Sequence, residues 1–368
     1  MKFASEPGYM LSSAIAHRGR RCMVKVGILA GTAYSGIELV RILNRHPEAE
    51  IASVTGRSSA GKALNEVFPH LGSIDLTVTE ELDESVDVVF SALPHGASAK
   101  RLGPLVGAGV KAVDISADFR LAAPEEYRQW YGELHPFPEY LGEAVYGLPE
   151  LSRDDIASAR LVANPGCYPT ASILGLAPAV KAGIVDLDII VDAKSGVSGA
   201  GQKVARDYIY SEVNENLRAY GLGGHFHLPE MTQELGKLAG PFQNMRMTFV
   251  PHLVPMTRGI FATCYATLKE DVVGSGEAAA NAVREVYQDF YCDESFVEVT
   301  DSPPMTKQTL GNNRCLVHPV VDPRTNRLIV ISCIDNLVKG AAGQAVQNMN
   351  LMFGLPEDEG LKELALYP

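Results

Sequence analysis

From Val24 onward, short apolar runs alternate with stretches of helical spacing, and this alternation limits the possible folds more than any other feature of the chain. VKVGILA (24–30) reads as a buried strand closed by a glycine-containing turn. SGIELVRILNRH (35–46) follows, with Ile37, Val40 and Leu43 on one helix face and Pro47 as a stop. Strand-like runs return at EIASVTG (50–56), DVVFSAL (87–93), KAVDIS (111–116) and RLVANPG (160–166). Strands separated by helices pair through crossovers, which build a parallel sheet covered on both faces. The expected first domain, residues 24–167, is therefore a doubly wound α/β sheet with its ligand site at the carboxyl ends of the strands.

After Cys167 the pattern changes. DIIVDAKSG (188–196), RMTFVPHLVP (246–255), GIFATCYATLK (259–269), CLVHPVVD (315–322) and RLIVISCID (327–335) alternate more strictly, and GEAAANAVREVYQDF (276–290) has helical spacing. These segments predict a mixed α+β domain over 168–335. The helical run 336–354 begins a C-terminal segment, 336–368, expected to return to the first domain. The first 23 residues carry Lys2, Arg18, Arg20 and Arg21 against a single acid, Glu6, and are read as an N-terminal arm outside the fold. Two domains suit 368 residues, taking about 150 per domain.

Composition narrows the function. Lys plus Arg minus Asp plus Glu is 32 − 44 = −12, a poor balance for binding nucleic acid or an anionic membrane. The longest apolar runs are about ten residues, against the roughly 20 of a spanning helix. The six cysteines contain no CxxC pair, which fits a reducing compartment, the cytoplasm, rather than a disulfide scaffold or zinc ribbon.

Three motifs carry chemistry. The first is the turn AGTAYSG, residues Ala30, Gly31, Thr32, Ala33, Tyr34, Ser35 and Gly36, between the first strand and its helix. Such a turn offers backbone N–H groups and a helix N-terminus to a dinucleotide pyrophosphate. It is equally compatible with a plain strand-to-helix turn. At the end of the next strand, Arg57, Ser58 and Ser59 stand where a carboxylate would hold the ribose hydroxyls of NAD, and they suit the 2′-phosphate of NADP. The alternative there is a solvated polar loop. The second motif, ANPGCYPTA (163–171), puts Cys167 where a strand end, a Pro-Gly turn and a helix start coincide. With Pro169 as the first helical residue, Cys167 would stand just before the helix, where the positive end lowers a thiol pKa. The other cysteines read as small buried hydrophobes. The third, GGHFHLPEM (223–231), has glycines and a proline that predict a loop exposing His225 and His227, with Glu230 able to orient His227. Spacing alone leaves open a surface loop, an acid–base site or a zinc site.

Together, SADFRL (116–121), AVYGLPE (144–150), NPGCYPTA (164–171), AKSGVSGAG (193–201), GHFHLPE (224–230) and DNLVKGAAGQAVQNMN (335–350) resemble N-acetyl-gamma-glutamyl-phosphate reductases, relatives of the aspartate-semialdehyde dehydrogenases. The resemblance runs from about residue 24 to the C-terminus. It departs at Ala30 and Ala33, where the family carries glycine; an alanine methyl crowds the backbone and disfavours positive φ.

The resemblance implies an NADPH-dependent oxidoreductase of arginine biosynthesis acting on a small acyl phosphate, with an NAD(P)-binding domain, a substrate and dimerisation domain, and a homodimer or homotetramer. Cys167 would form the thioester, His227 would move protons, and Glu230 would orient it. Arg120, Lys194, His225 and Arg258, with Lys203, would contact the substrate. Ser91, Leu93, Pro94, Ser198, Gly199 and Asn336 would join the turn and Arg57 around NADP(H). No metal is expected. Competing readings are another acyl-phosphate reductase on the same fold, a dinucleotide-binding regulator without chemistry, and a zinc hydrolase built on His225, His227 and Glu230.

Overall fold

The computed structural model describes residues 23–83, 85–241 and 244–368, so the arm expected over 1–23 lies outside the described residues except for Met23. Val24–Leu29 forms strand β1, buried at every position except Lys25. Helix α1 (Tyr34–Leu43) buries Leu39, Val40 and Leu43 against it. Ala49–Thr55 (β2), Val78–Thr79 (β3), Val88–Ser91 (β4), Lys111–Asp114 (β5), Val145–Tyr146 (β6) and Leu161–Ala163 (β7) complete a seven-stranded sheet in the order β3-β2-β1-β4-β5-β7-β6. Every pairing in it is parallel. The order reverses at β1, with β2 on one side and β4 on the other, so the turn after β1 opens at the topological switch point.

The second sheet is built from Asp188–Ser195 (β8), Arg218–Ala219 (β9), Arg246–Leu253 (β10), Ile260–Thr267 (β11), Val297–Val299 (β12), Cys315–Asp322 (β13) and Arg327–Ile334 (β14), in the order β12-β13-β14-β11-β8-β10-β9. Parallel and antiparallel pairs are mixed. Side chains alternate across a strand, so Ile189, Val191 and Ala193 of β8 face a core shared with three helices. These are α5 (Cys167–Lys181), α6 (His227–Ala239) and α7 (Gly276–Phe290). The opposite face carries Ile190 and Val320, each exposed, in one row with Tyr265 and Ile329.

Helices Ser98–Gly107 (α2), Pro124–Tyr131 (α3) and Pro149–Ser158 (α4) belong to the first sheet's layers. A π turn, Val338–Ala342, leads into α8 (Gly343–Met352). Val346, Met349 and Met352 of α8 share one core with Val26, Leu39 and Val88.

Candidate active site

Cys167 and His227 occupy equivalent places: each is the first residue of a helix, α5 and α6. Pro169 is thus the third helical residue rather than the first, and GHFHLPE does not remain a loop. A proline in the first turn costs nothing, because N–H groups there have no partner within the helix. The two N-termini meet over Gly166, where a Cβ would collide with His227 Nε2 and lie 2.8 Å from an Arg120 nitrogen. Glycine is required at this position by close approach alone.

Both imidazoles are buried, with His227 7% and His225 8% exposed. Burial, helped by His225 and Arg120, holds His227 well below its ordinary pKa, so its ring is neutral in the resting protein. Its Nδ1 has no hydrogen-bond partner among the described residues. His225 accepts the backbone N–H of His227 on Nδ1 at 3.1 Å. Burial also pushes His225 down to about 4. Its ring stacks on Phe226 and meets Tyr168, Tyr220 and Phe249 edge-on.

The thiol differs from expectation. Cys167 is partly exposed, but burial pushes its pKa up to about 11 against the opposing pull of Arg120 and the backbone amides at the helix start. A helix N-terminus alone does not ionise this cysteine. For this sulfur to attack a substrate, a proton acceptor would have to act at the same time.

Glu230 also departs from its expected role. Oε2 accepts the Gly166 N–H at 2.8 Å and the Tyr146 hydroxyl at 2.8 Å, while Oε1 accepts Arg120 Nη1 at 3.2 Å. None of these partners is His227. Glu230 anchors the turn that carries Cys167, and Tyr146, which motif spacing did not single out, is part of that anchor. Its carboxyl is raised by burial and pulled back by Arg120 and by these hydrogen bonds.

Arg120 is itself buried, donating to Asn164 O and Ile115 O at 2.8 Å each. Its guanidinium is a fixed charge under the turn, beside Gly166 and Glu230. Lys194 lies on the sheet face opposite α5, paired with Asp192 at 2.9 Å. Arg258 is neutralised by Glu38 at 2.8 Å and Asp335 at 3.4 Å.

A cleft of about 640 Å³ lies between the first turn and the second sheet, lined by Tyr34, Ser198, Lys203, Tyr210, Arg258 and Leu337 among others. Lys203 has no ion pair among the described residues. Asn336 donates to Ser198 Oγ at 2.9 Å and accepts the Gly259 N–H at 2.7 Å, fixing one wall. Gly199 is exposed beside it. Gly340, which spacing also failed to reveal, backs onto the cysteine: a Cβ there would lie 2.8 Å from Cys167 Cβ.

The first turn fits a pyrophosphate. The α1 N-terminus has no side-chain cap, leaving its first N–H groups open. A Cβ on Gly31 would strike Val54, and one on Gly36 would lie 2.5 Å from Ala30 O. Ala30 holds a left-handed φ of 55°, whereas Ala33 is extended at φ −73°. Only the first of the two alanines is strained. Gln202 donates to Thr32 O at 3.0 Å, joining the turn to the cleft. Arg57 and Ser58 are exposed at the end of β2, and Ser59 is buried. Ser91 is buried at the end of β4, bonded to Ser98 at 2.7 Å, with Leu93 half-buried and Pro94 exposed just beyond.

Among the described residues no cluster of three or more His, Cys, Asp and Glu side chains is arranged to hold a metal. The carboxylate of Glu230 is engaged by Gly166, Tyr146 and Arg120.

Known proteins agree with this architecture. Residues 25–159 match the model "Semialdehyde dehydrogenase, NAD binding domain", and 167–336 match "Semialdehyde dehydrogenase, dimerisation domain". Aspartate semialdehyde dehydrogenase II of Vibrio cholerae shares the fold, with a TM-score of 0.69 at 18% identity over 91% of this chain and 99% of that one. The Candida albicans enzyme, solved with NADP, gives 0.67 at 17% identity over 90% of this chain and 98% of that one. At the level of sequence, N-acetyl-gamma-glutamyl-phosphate reductase of Dehalococcoides mccartyi is 56% identical over 94% of this chain and 99% of its own. Those of Pelotomaculum thermopropionicum and Heliobacterium modesticaldum are 50% and 48% identical, each over 94% of this chain and 99% and 100% of their own. With a cysteine and a neutral histidine joined over one glycine, and relatives this close along nearly its whole length, the chain belongs to the N-acetyl-gamma-glutamyl-phosphate reductases, a family of oxidoreductases.

Proposed function

We propose that the protein reduces N-acetyl-L-glutamyl 5-phosphate to N-acetyl-L-glutamate 5-semialdehyde and phosphate, using NADPH, in cytoplasmic arginine biosynthesis. The observation that carries this reading is the convergence of Cys167 and His227 at two helix N-termini over Gly166. As Cys167 Sγ bonds to the acyl carbon, the carbon–oxygen bond to phosphate breaks and the thiol proton passes to neutral His227. The two helix ends favour the negative charge that develops on the acyl oxygen. The first turn, with its open helix terminus, would hold a nicotinamide dinucleotide, and the chemistry that group would supply is the hydride for reducing the thioester to the semialdehyde. His227 returns a proton to sulfur as the product leaves.

Tyr34, the open α1 terminus and the loop of Ser198 and Asn336 support dinucleotide binding across the cleft. Arg57 and Ser58 support selection of the 2′-phosphate. With Arg120, Lys194 and Arg258 held by protein partners, Lys203 is the cleft cation best placed to meet a substrate anion, and His225 orients the backbone of His227. The apolar row of Ile190, Tyr265, Ile329 and Val320 supports a homo-oligomer formed through the open face of the second sheet.

The test is the reverse reaction. N-acetylglutamate semialdehyde, phosphate and NADP⁺ should raise NADPH absorbance, with aspartate semialdehyde far slower and NAD⁺ far weaker. Equal rates with both aldehydes, or a rise that does not need phosphate, would overturn the assignment.

A further inference from the structure

Beneath the cysteine turn lies a charged pair that the chemistry above does not use. Lys339 and Glu150 have no exposed side-chain surface, and Lys339 Nζ donates to Glu150 Oε1 at 2.6 Å and Gln347 Oε1 at 2.8 Å. The ammonium also lies over the Phe296 ring, 5.4 Å from its centre. Taking two charges out of water costs about as much as their attraction returns, so well-packed apolar residues would join these segments equally well. Stability alone does not account for the pair.

Its surroundings suggest what it does. Lys339 sits in the π turn, a geometry that is rare and often found at functional sites. The next residue is Gly340, whose Cβ would lie 2.8 Å from Cys167 Cβ and 3.2 Å from its Cα. The residue after it, Ala341, accepts Asn164 Nδ2 at 3.2 Å. Two consecutive residues beyond the ammonium therefore touch the cysteine turn. Glu150, in the first turn of α4, follows Tyr146 and Gly147. Tyr146 donates to Glu230, and Gly147 O accepts Asn348 at 2.9 Å. The pair thus ties the segment that anchors Glu230 to the segment that backs Cys167.

We infer that Lys339 and Glu150 are positioning residues that act through Gly340 to set where the Cys167 sulfur stands for attack. This rests on the reading of Cys167 as nucleophile.

The experiment compares Gly340→Ala, the double variant Lys339→Met/Glu150→Gln, and Tyr287→Phe in the full-length protein. Tyr287 donates to Gly175 O at 2.8 Å deep in the core and serves as a stability control. Misplacing a reacting atom by about 1 Å costs roughly a hundredfold. Both site variants should lose about ten- to a hundredfold in kcat with KM within about twofold, and alkylation of Cys167 should slow in parallel while exposed Cys292 reacts as before. Tyr287→Phe should lower the melting temperature and leave kcat alone. If the double variant fails to fold, Gln347→Leu, which removes the second acceptor of the ammonium, should show a smaller drop of the same kind. Folded site variants with wild-type kcat, beside an inactive Cys167→Ser enzyme, would overturn the inference alone. A fully active Cys167→Ser enzyme would overturn the nucleophile reading and this inference with it.

Discussion

Raising the pH around the free protein should reveal that Cys167 rests as a thiol. Burial pushes its pKa up to about 11. At about pH 7.5 only about 0.03% of it is then ionised, against about 9% for an ordinary thiol of pKa about 8.5. Alkylation by iodoacetamide follows the thiolate, so the rate at Cys167 should rise about tenfold per pH unit from about pH 7 to about pH 10. Peptide mass spectrometry separates this site from Cys292, the exposed thiol among the described residues, which should label ahead of it. Turnover should behave differently. With His227 held neutral by burial, and on the proposal that it accepts the proton during attack, kcat/KM should stay nearly flat over about pH 7 to 9. His227→Asn should lower kcat by about 10²–10⁴ and give turnover the same steep rise as alkylation. An alkylation rate at Cys167 that levels off below about pH 9 would refute the argument, since it would reveal a thiolate already present at neutral pH.

Three further outcomes follow from the geometry. Glu230→Gln leaves Arg120 buried without its counter-charge, so it should destabilise the fold by about 3–5 kcal/mol, read by denaturant unfolding, and Tyr146→Phe should cost less. Ala30→Gly relieves a left-handed alanine that costs about 1–2 kcal/mol, so it should raise the melting temperature and tighten NADPH and NADH alike in fluorescence titration, whereas Ala33→Gly should do neither. Burial pushes the Glu38 carboxyl up, but Arg258 and Arg41 together hold it below its ordinary value. Its contribution to stability is therefore present above the ordinary carboxylate pKa and fades as pH falls, so the stability gap between wild type and Glu38→Gln should shrink below about pH 4.5.

Much of the first sheet was legible because buried parallel strands read as apolar runs and glycine marks the turns between them. The run 276–290 coincides with α7, Gly276–Phe290. The two-residue strands β3 and β6 left no run to recognise. Cys167 could be singled out because a strand end, a Pro-Gly turn and a helix start fall on it locally. Its neighbour His227 was read as part of a loop because a first-turn proline looks like a breaker on paper. The face of Lys194 was legible too: with Ile189, Val191 and Ala193 on the core side, strand parity sends it to the other face. The partners of Glu230, Arg120 and Arg258 were out of reach, since Gly166 lies 64 positions from Glu230 and Glu38 lies 220 from Arg258. Short-range spacing carries no information about such pairs. The same holds for Gly340, whose constraint comes from close approach to Cys167, far away in the sequence.

The most direct test of the account is to mix the protein with N-acetylglutamyl 5-phosphate in the absence of NADPH, quench in acid and weigh the peptide containing Cys167. A burst of about one phosphate per subunit is expected, with an N-acetylglutamyl thioester on Cys167 alone that is consumed when NADPH is added before the quench. A burst with no adduct on Cys167, or an adduct that NADPH leaves untouched, would contradict it.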